Sequence, residues 1–286
     1  RNGDTITTGV IPFAKYFNAA LKSCSQGGVR GASATFNYPV WHLEFERLIE
    51  LKNNKGTEET RLRTVDYCVH INKLFYERLV KKENITFFSP EEVPDLYQAF
   101  YSSDYKNFEK LYKKYEKDPS KTKKTLPAVD IFTKILQERY ETGRIYILHA
   151  DHVNQHSPFY EPIKMTNLCC EILLPTTPVT YPGDTQYNHE ESLIALCTLS
   201  AINWGKFTPY IDLDPESSAA HRQDAKLRDA CDMAVRGLDA LLDYQEYPIE
   251  AARRHSMKYR PLGIGIIGFA HWLAKGRLYW GETNTL

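Results

Sequence analysis

The sequence predicts an α/β fold with mainly parallel strands. Segments with apolar residues at helical spacing alternate along the chain with short β-branched and aromatic runs. This order is expected when helices connect neighbouring parallel strands. The 286 residues are 42% hydrophobic and 25% charged, as in ordinary globular proteins with a sizeable buried core. No stretch of linker-like composition interrupts the chain, so residues 1–286 are expected to form a single domain.

The helices are predicted from apolar residues that recur at every third or fourth position. Phe108, Tyr112 and Tyr115, for example, share one helix face. Ser89 followed by Pro90 has the composition of a helix start. The predicted helices are Val10–Ser23, Leu43–Leu51, Val65–Lys82, one beginning at Ser89, Tyr105–Lys117, Ala128–Tyr140, Ala219–Tyr244 and Phe269–Ala274.

The strands are predicted from short apolar runs that are bounded by turn-forming residues. Pro39 indicates the edge or the end of a strand. Cys24–Gly31, with its three glycines, is predicted to be a loop. The predicted strands are Ala34–Trp41, Ile85–Phe88, Ile145–Leu148, Glu171–Leu174, Leu193–Leu199 and Leu262–Ile267.

Charge and cysteine content argue against several classes of function. The 36 basic and 36 acidic residues balance, which gives no bulk reason to expect binding to nucleic acid or to a membrane surface. No apolar stretch is long enough to span a bilayer. The six cysteines include no CxxC pair, so free thiols in a reducing, cytoplasmic compartment are expected. Because the chain begins with Arg1 rather than Met, both ends are expected to be cuts in a longer polypeptide.

The segment Thr166–Ile172 (TNLCCEI) carries the clearest chemical signal. If it is extended, Asn167, Cys169 and Glu171 point to one side and Cys170 to the other. A carboxylate can accept a hydroxyl proton, an amide can hold a hydroxyl group, and a sulfur can act as nucleophile or radical. The pattern alone does not choose between these roles of the sulfur. By itself it is more commonly explained by a structural cysteine near a surface carboxylate.

Further segments extend this motif over nearly the whole chain. NLCCEILLPT is followed by ALCTLSAIN, and the other segments are KSCSQGGVRGASATFNYPVWHLE, DYCVHINKLFYERL, ETGRIYILHADHVNQHSP, RGLDALLDYQEYP and RPLGIGIIGFAHWLAKG. Together and in this order they resemble the large, catalytic subunit of class I ribonucleotide reductases. The resemblance implies an internal fragment from the central part of the catalytic barrel. That barrel has ten strands in two parallel half-sheets with surrounding helices, and a loop carries the radical cysteine into its centre.

The resemblance implies the reduction of ribonucleoside diphosphates to deoxyribonucleoside diphosphates by a thiyl radical. Cys169 matches the cysteine whose radical removes the ribose 3′ hydrogen. Glu171 matches the carboxylate that takes the 3′-hydroxyl proton, and Asn167 matches the amide that binds the substrate hydroxyls. Cys197 matches one member of the cysteine pair that supplies the reducing electrons. The other member is expected upstream of Arg1, so turnover is expected to need segments outside this chain.

The resemblance also implies regulation and partners. Cys24–Gly31 matches the flexible loop that relays effector identity to the substrate base, and Arg1 matches the end of a neighbouring effector-binding loop. The members of this loop that are expected to take part are Ser25, Gln26, Gly27, Gly28 and Arg30. No cofactor or metal is expected on this chain, because a metal-containing small subunit would supply the radical. ATP and deoxynucleoside triphosphates are the expected effectors. A second large subunit, thioredoxin or glutaredoxin, and complementary fragments of the subunit are the expected protein partners.

Other interpretations of these residues remain open. The chain could be a non-catalytic fragment for effector binding or assembly, or an enzyme that uses Cys169 as a nucleophile with a histidine. Gly263–Gly268 fits GxGxxG, but the motif is itself an apolar run, so a closely packed strand is expected rather than a dinucleotide site. His149, His152 and His156, together with Asp151, match no zinc spacing and are expected to cap helices and form hydrogen bonds.

Three further cysteines are predicted to be structural. Cys170 stands where the resemblance leads us to expect an apolar residue, and it is expected to be a small core residue. Cys68 and Cys231 fall within predicted helices and are also expected in the core.

Overall fold

The computed structural model describes residues 8–179, 191–207, 209 and 217–281. Helices and strands alternate along these residues, and three of the five strand pairs are parallel. The predicted α/β class with parallel strands is therefore confirmed. The chain divides into two compact units, with the boundary between Pro175 and Thr176. The single domain expected over residues 1–286 stays a prediction.

Unit 1, which ends at Pro175, contains most of the secondary structure. Its elements are α1 Val10–Lys22, β1 Ser25–Gln26, β2 Arg30–Gly31, β3 Thr35–Pro39, α2 Phe45–Ile49, β4 Asp66–Ile71, α3 Lys73–Lys81, β5 Asn84–Phe88, α4 Pro94–Phe100, α5 Tyr105–Lys117, β6 Lys123–Pro127, α6 Ala128–Thr142, β7 Ile145–His149 and α7 Ala150–Gln155. The predicted helices near α1, α2, α5 and α6 and the predicted strands near β3, β5 and β7 are thus confirmed. The structure adds α7, whose few apolar residues give no helical pattern.

The main sheet of unit 1 has three parallel strands in the order β3-β4-β7. Cys68 in β4 lies beside Asn37 in β3 and beside Tyr146 in β7. The middle strand β4 is buried along its whole length, as expected for a parallel strand that is covered on both faces.

The predicted helix Val65–Lys82 is wrong in its first half. Residues 66–71 form β4, and only the segment after Asn72 is helical. Tyr67, Val69 and Ile71 belong to the apolar core cluster, whereas the alternate side chains of β4 are polar or carry a thiol and face the other side of the sheet. This period of two is a strand pattern, and the helical spacing belongs to α3 alone.

Aromatic side chains fill the apolar side of unit 1. Phe45 stacks on Phe87 with a centroid distance of 5.6 Å, and Trp41 meets Phe100 edge-on at 5.8 Å. All four side chains are buried. Aromatic rings bury large apolar areas and gain from such contacts, so this cluster provides much of the stability of the unit.

Three other predicted boundaries differ from the structure. The carbonyl of Ser89 accepts the N–H of Glu92 in a turn, and α4 begins only at Pro94, which occupies its first turn. Glu171–Leu174 form no strand. In Leu193–Leu199 the strand begins only at its last residue, because the preceding backbone makes isolated contacts rather than a ladder.

Unit 2, from Thr176 onward, holds a second pair of parallel strands. Its elements are β8 Leu199–Asn203, a 3-10 helix Trp204–Lys206, α8 Ser218–Tyr244, α9 Glu250–Tyr259, β9 Gly263–Ile267 and α10 Phe269–Lys275. Gly268 has a φ of 69°, and a Cβ there would lie 2.9 Å from the backbone nitrogen of Gly205. The predicted strand with close packing at its glycines is confirmed. Within the described ranges, no helix combines the length and the apolar composition that a membrane span requires.

Candidate active site

Cys169 lies on a tight turn that begins at Asn167. The N–H of Cys170 donates to the carbonyl oxygen of Asn167 over 3.2 Å, and Asn167 Oδ1 accepts the N–H of Ile172 at 3.0 Å. Cys170 has a φ of 63°, the left-handed conformation that helps the chain reverse. The extended conformation considered for Thr166–Ile172, with alternating side chains, is therefore wrong. The Asn167 side chain bonds to the local backbone, which then needs no hydrogen bonds from a neighbouring strand.

The turn gives its side chains different surroundings. Cys169 and Glu171 are exposed, whereas Asn167 and Cys170 are half-buried. Cys170 was predicted to be a small core residue that strand alternation places on the other side from Cys169. Both parts of this prediction are wrong. The accessible thiol is that of Cys169, and the catalytic roles of Asn167, Cys169 and Glu171 stay predictions.

Side chains of β3 anchor the turn. The Thr35 hydroxyl donates to the carbonyl oxygen of Leu168. The Thr166 hydroxyl oxygen lies 3.0 Å from Cys170 Sγ and 3.3 Å from Asn37 Oδ1. Thr35 and Asn37 are two residues apart in one strand, so their side chains lie on the same face of the sheet. The turn therefore rests on the face of the sheet that carries the side chains of Thr35 and Asn37.

A buried histidine continues this network. His70 Nε2 lies 3.0 Å from Asn37 Oδ1, and His70 Nδ1 lies 2.9 Å from the Tyr101 hydroxyl oxygen. Burial lowers the pKa of His70 to about 3, so its imidazole is neutral near pH 7. The Asn37 amide nitrogen donates to the Thr35 carbonyl, which leaves Asn37 Oδ1 as the acceptor. His70 therefore carries its proton on Nε2, and Tyr101 donates to Nδ1.

Cys68 brings a second thiol to the same face. It is fully buried and lies two residues before His70 in β4. Its hydrogen bond with Cys170, together with burial, raises the pKa of Cys68. The same hydrogen bond lowers the pKa of Cys170, with help from the Thr166 hydroxyl and against the effect of burial. The shared proton therefore resides mainly on Cys68, and Cys170 is the more readily ionised thiol.

The predictions for Cys68, Cys231 and Cys197 have three different outcomes. Cys68 is in the core as predicted, but on a strand rather than a helix. Cys231 is exposed on α8, and the prediction of a core position is wrong because helical spacing alone does not tell which side of a long helix is covered. Cys197 belongs to unit 2, where it lies exposed two residues before β8. Its pairing with the chemistry of Cys169 stays a prediction.

The predicted effector loop is a short β-hairpin. β1 pairs antiparallel with β2, and the reversal uses Gly27 and Gly28 at φ 59° and 70°, conformations that favour glycine. The side chains of Ser25 and Arg30 are exposed. Their role in effector recognition stays a prediction, and Arg1 lies outside the described residues.

His149 at the end of β7 and Asp151 at the start of α7 have structural partners. Asp151 Oδ2 accepts the N–H of Lys73 at the start of α3, over 2.7 Å. His149 Nε2 lies 2.9 Å from the Tyr76 hydroxyl oxygen. The predicted capping and hydrogen-bonding roles of this segment are therefore confirmed for Asp151 and His149.

The residues that support the turn were missed by the motif analysis. Thr35, Asn37, Cys68 and His70 stand far from Cys169 in sequence. A signal for two of them was present, because Asp66, Cys68 and His70 alternate with apolar residues in DYCVHI. That alternation predicts a strand with one non-apolar face. The prediction of a helix over Val65–Lys82 did not take it into account.

Comparisons with known proteins show which family this chain matches. The family described as ribonucleotide reductase, barrel domain, matches residues 1–286. The ribonucleoside-diphosphate reductase 1 subunit alpha of Escherichia coli is 52% identical over 291 residues, and the subunit alpha of Haemophilus influenzae is 51% identical over 291 residues. Each alignment covers 100% of this chain and 36% of the relative. The subunit alpha of Enterobacteria phage T4 is 43% identical over 99% of this chain and 35% of its own length. The chain thus spans about a third of these relatives.

Proposed function

Since this chain belongs to the ribonucleotide reductase barrel-domain family, we propose that it is the central part of a catalytic barrel that reduces ribonucleoside diphosphates. The complete barrel would have ten strands in two parallel half-sheets, to which the parallel strands described above would contribute. The relatives are named ribonucleoside-diphosphate reductases, and the substrate class follows from those names.

The observation that carries the proposal is the exposed thiol of Cys169 on an anchored turn, with the exposed carboxylate of Glu171 two residues later. As a thiyl radical, Cys169 takes the 3′ hydrogen atom of the ribose. Glu171 accepts the proton of the 3′ hydroxyl, and the amide of Asn167 orients the substrate hydroxyls. Cys197 then serves as one of the two thiols that deliver the reducing electrons as the 2′ hydroxyl leaves as water.

The remaining parts of the reaction come from outside this chain. A separate small subunit with a metal centre supplies the radical, and thioredoxin or glutaredoxin restores the reducing thiols. ATP and deoxynucleoside triphosphates act through the hairpin of Ser25, Gln26, Gly27, Gly28 and Arg30, together with Arg1, in a homodimer of large subunits. The exposed hairpin with its left-handed glycines supports this role, because it can change conformation without disturbing the core.

The length of the relatives supports a second statement about the chain alone. It spans 36% of the relatives from Haemophilus influenzae and Escherichia coli, so by itself it is a binding or assembly segment without turnover. Complementary segments of the subunit complete the site.

The test is reconstitution. We expect no deoxynucleotide formation by the chain alone, and turnover when the complementary segments, the small subunit and a thiol reductant are added. Cys169→Ser should reduce this turnover to the assay blank, because serine cannot form a stable radical at that position. Cys231→Ser, which changes an exposed thiol on α8, is the matched control and should retain turnover. Full activity of Cys169→Ser would contradict the proposal.

A further inference from the structure

Two thiols meet beneath the turn of Cys169, and the proposed reaction uses neither of them. Cys68 lies in the middle of the buried strand β4, and Cys170 follows Cys169 on the turn. The two residues are 102 positions apart in sequence, so only the fold brings them together.

The register of the sheet explains how they meet. Asn37 in β3 lies beside Cys68 in β4, and side chains paired across parallel strands point to the same face. The Thr166 hydroxyl bridges this face and the turn, because it is within 3.3 Å of Asn37 Oδ1 and within 3.0 Å of Cys170 Sγ. The Cys170 thiol is thereby held on the face of the sheet that carries Cys68. The two thiols are close enough for each to shift the pKa of the other.

The surroundings make the two thiols unequal. Cys170 is half-buried and can meet a small oxidant, whereas Cys68 is sealed below it. The hydrogen bond from Cys68 lowers the pKa of Cys170, while the carboxylates of Glu171 and Asp66 act in the opposite direction. A thiolate that a small oxidant can reach, next to a second thiol, is the arrangement found in oxidisable cysteine pairs.

We propose that Cys68 and Cys170 are an oxidisable pair, which closes to a disulfide when hydrogen peroxide reacts with Cys170. The Cys170 thiolate attacks one peroxide oxygen, the O–O bond breaks, and a sulfenic acid and hydroxide form. The sulfur of Cys68 then attacks the sulfenic sulfur, the S–S bond forms, and the sulfenic oxygen leaves as water with the proton of Cys68. Hydroxide takes up the proton that Cys170 lost on ionisation. Two thiols thus lose two electrons, and one peroxide is reduced to two waters.

The disulfide would tie the turn of Cys169 covalently to β4. The turn is otherwise held by single hydrogen bonds from Thr35 and Thr166, so a covalent link restricts the motion of Cys169 far more. Cys68 and Cys170 are therefore a switch that arrests the turn under oxidising conditions and that a dithiol reverses. Only this last consequence, for turnover, rests on the proposed function.

The pair itself is tested on the full chain of 286 residues. The chain is treated with hydrogen peroxide and then denatured in the presence of N-ethylmaleimide, which alkylates the remaining free thiols. It is digested with trypsin and Glu-C without reductant, and the peptides are analysed by mass spectrometry. We expect the peptide of Cys68 to be linked to the peptide of Cys169 and Cys170. The link should persist in Cys169→Ser and in the exposed control Cys231→Ser, should be absent in Cys170→Ser, and should disappear with dithiothreitol.

Two results would overturn the proposal. One is a link that survives Cys170→Ser, which would assign it to Cys169. The other is unchanged maleimide labelling of Cys68 after oxidation. Neither readout needs a variant of the buried Cys68, so neither depends on whether such a variant folds.

The effect on turnover is measured separately in the reconstituted reductase. Each protein is its own reference, through the ratio of its activity after and before peroxide treatment. We expect this ratio to be higher in Cys170→Ser than in the unchanged protein. Equal ratios would contradict the switch, but the disulfide itself would stand. Absence of turnover in all samples would contradict the proposed function, but the cross-link result would stand.

Discussion

His70 shows how burial changes the chemistry of one residue. It is fully buried, and both ring nitrogens have hydrogen-bond partners, Asn37 and Tyr101. Desolvation disfavours the charged imidazolium and lowers the pKa of His70 to about 3 from the ordinary 6.5. The residue therefore acts as a neutral hydrogen-bonding link beneath the turn of Cys169 and not as an imidazolium acid.

This pKa shift predicts a loss of stability in acid. Between pH 6.5 and 3 the unfolded chain binds a proton at residue 70 that the folded chain does not bind. The contribution of His70 to stability is thus complete above pH 6.5 and declines as the pH falls, by about 2 kcal/mol between pH 7 and pH 5.

The measurement compares the free energy of unfolding in urea at these two pH values for the unchanged chain and for His70→Gln. Glutamine can form hydrogen bonds with Asn37 and Tyr101 but does not titrate. The decline should be about 2 kcal/mol smaller in the variant. An equal decline in both proteins would show that His70 is not held neutral by the fold.

At the scale of elements, hydrogen bonds between distant segments hold the turn in place. The Thr35 hydroxyl of β3 donates to the carbonyl of Leu168, which is 133 residues away in sequence. Asn167 supplies the local hydrogen bonds of the turn, whereas Thr35 fixes its position on the sheet. The turn therefore depends on β3 for its placement and on Asn167 for its shape.

We predict that Thr35→Val destabilises the chain because it leaves the Leu168 carbonyl without its donor. The expected loss in the free energy of unfolding is about 1–3 kcal/mol. Thr35→Ser keeps the hydroxyl and is the matched control, with a smaller expected effect. Urea unfolding of the two variants measures the difference, and equal losses would mean that the methyl group matters rather than the hydrogen bond.

A second contact between elements joins α3 to α5. The two terminal guanidinium nitrogens of Arg78, Nη1 and Nη2, donate to the carboxylate of Glu116 at 2.6 and 2.7 Å, and the Thr86 hydroxyl also donates to that carboxylate. The side chain of Arg78 is only 10% exposed and that of Glu116 is 23% exposed. Such a pair is costly to break from one side, because a charge then stays in a poorly solvated place.

We therefore predict that Glu116→Leu lowers the free energy of unfolding by about 3–5 kcal/mol. The double variant Arg78→Met with Glu116→Leu should recover most of this loss, since no unpaired charge remains. A double-mutant cycle in urea gives the coupling. Additive losses would show that the two side chains do not depend on each other.

At the scale of the whole molecule, the aromatic cluster on the apolar side of the main sheet stabilises unit 1. Phe45 is 1% exposed and stacks on Phe87. The polar face of the same sheet, which carries the turn, contributes hydrogen bonds rather than apolar area. The sheet thus has one face with apolar side chains and one face with the polar side chains that hold the turn of Cys169.

Phe45→Ala should lower the free energy of unfolding by about 3–5 kcal/mol, because it removes a buried ring and leaves a cavity. Val80→Ala, at an 83% exposed position of α3, is the control and should stay within about 0.5 kcal/mol. Trp41 lies in the same cluster, so its fluorescence during urea unfolding reports the transition. A loss in Phe45→Ala as small as that of the control would contradict the assigned position of the core.

Local sequence patterns determined much of this molecule. The α/β class, the amphipathic α5, the end of α6 at the left-handed Gly143 and the segment that carries Cys169 could each be predicted from neighbouring residues. Helix periodicity, left-handed glycine and motif spacing are short-range properties. The family resemblance likewise rests on contiguous segments of the sequence.

Only the tertiary structure decided how the candidate site is supported. Whether 66–71 is a strand depends on β3 and β7, which supply its hydrogen bonds. The place of the Cys169 turn on the sheet depends on Thr35 and Thr166, whereas its shape depends on Asn167. The contact between Thr166 and Asn37 spans 129 residues, and no local pattern contains it. Partners that are distant along the chain set the environment of a side chain, and folding alone selects them.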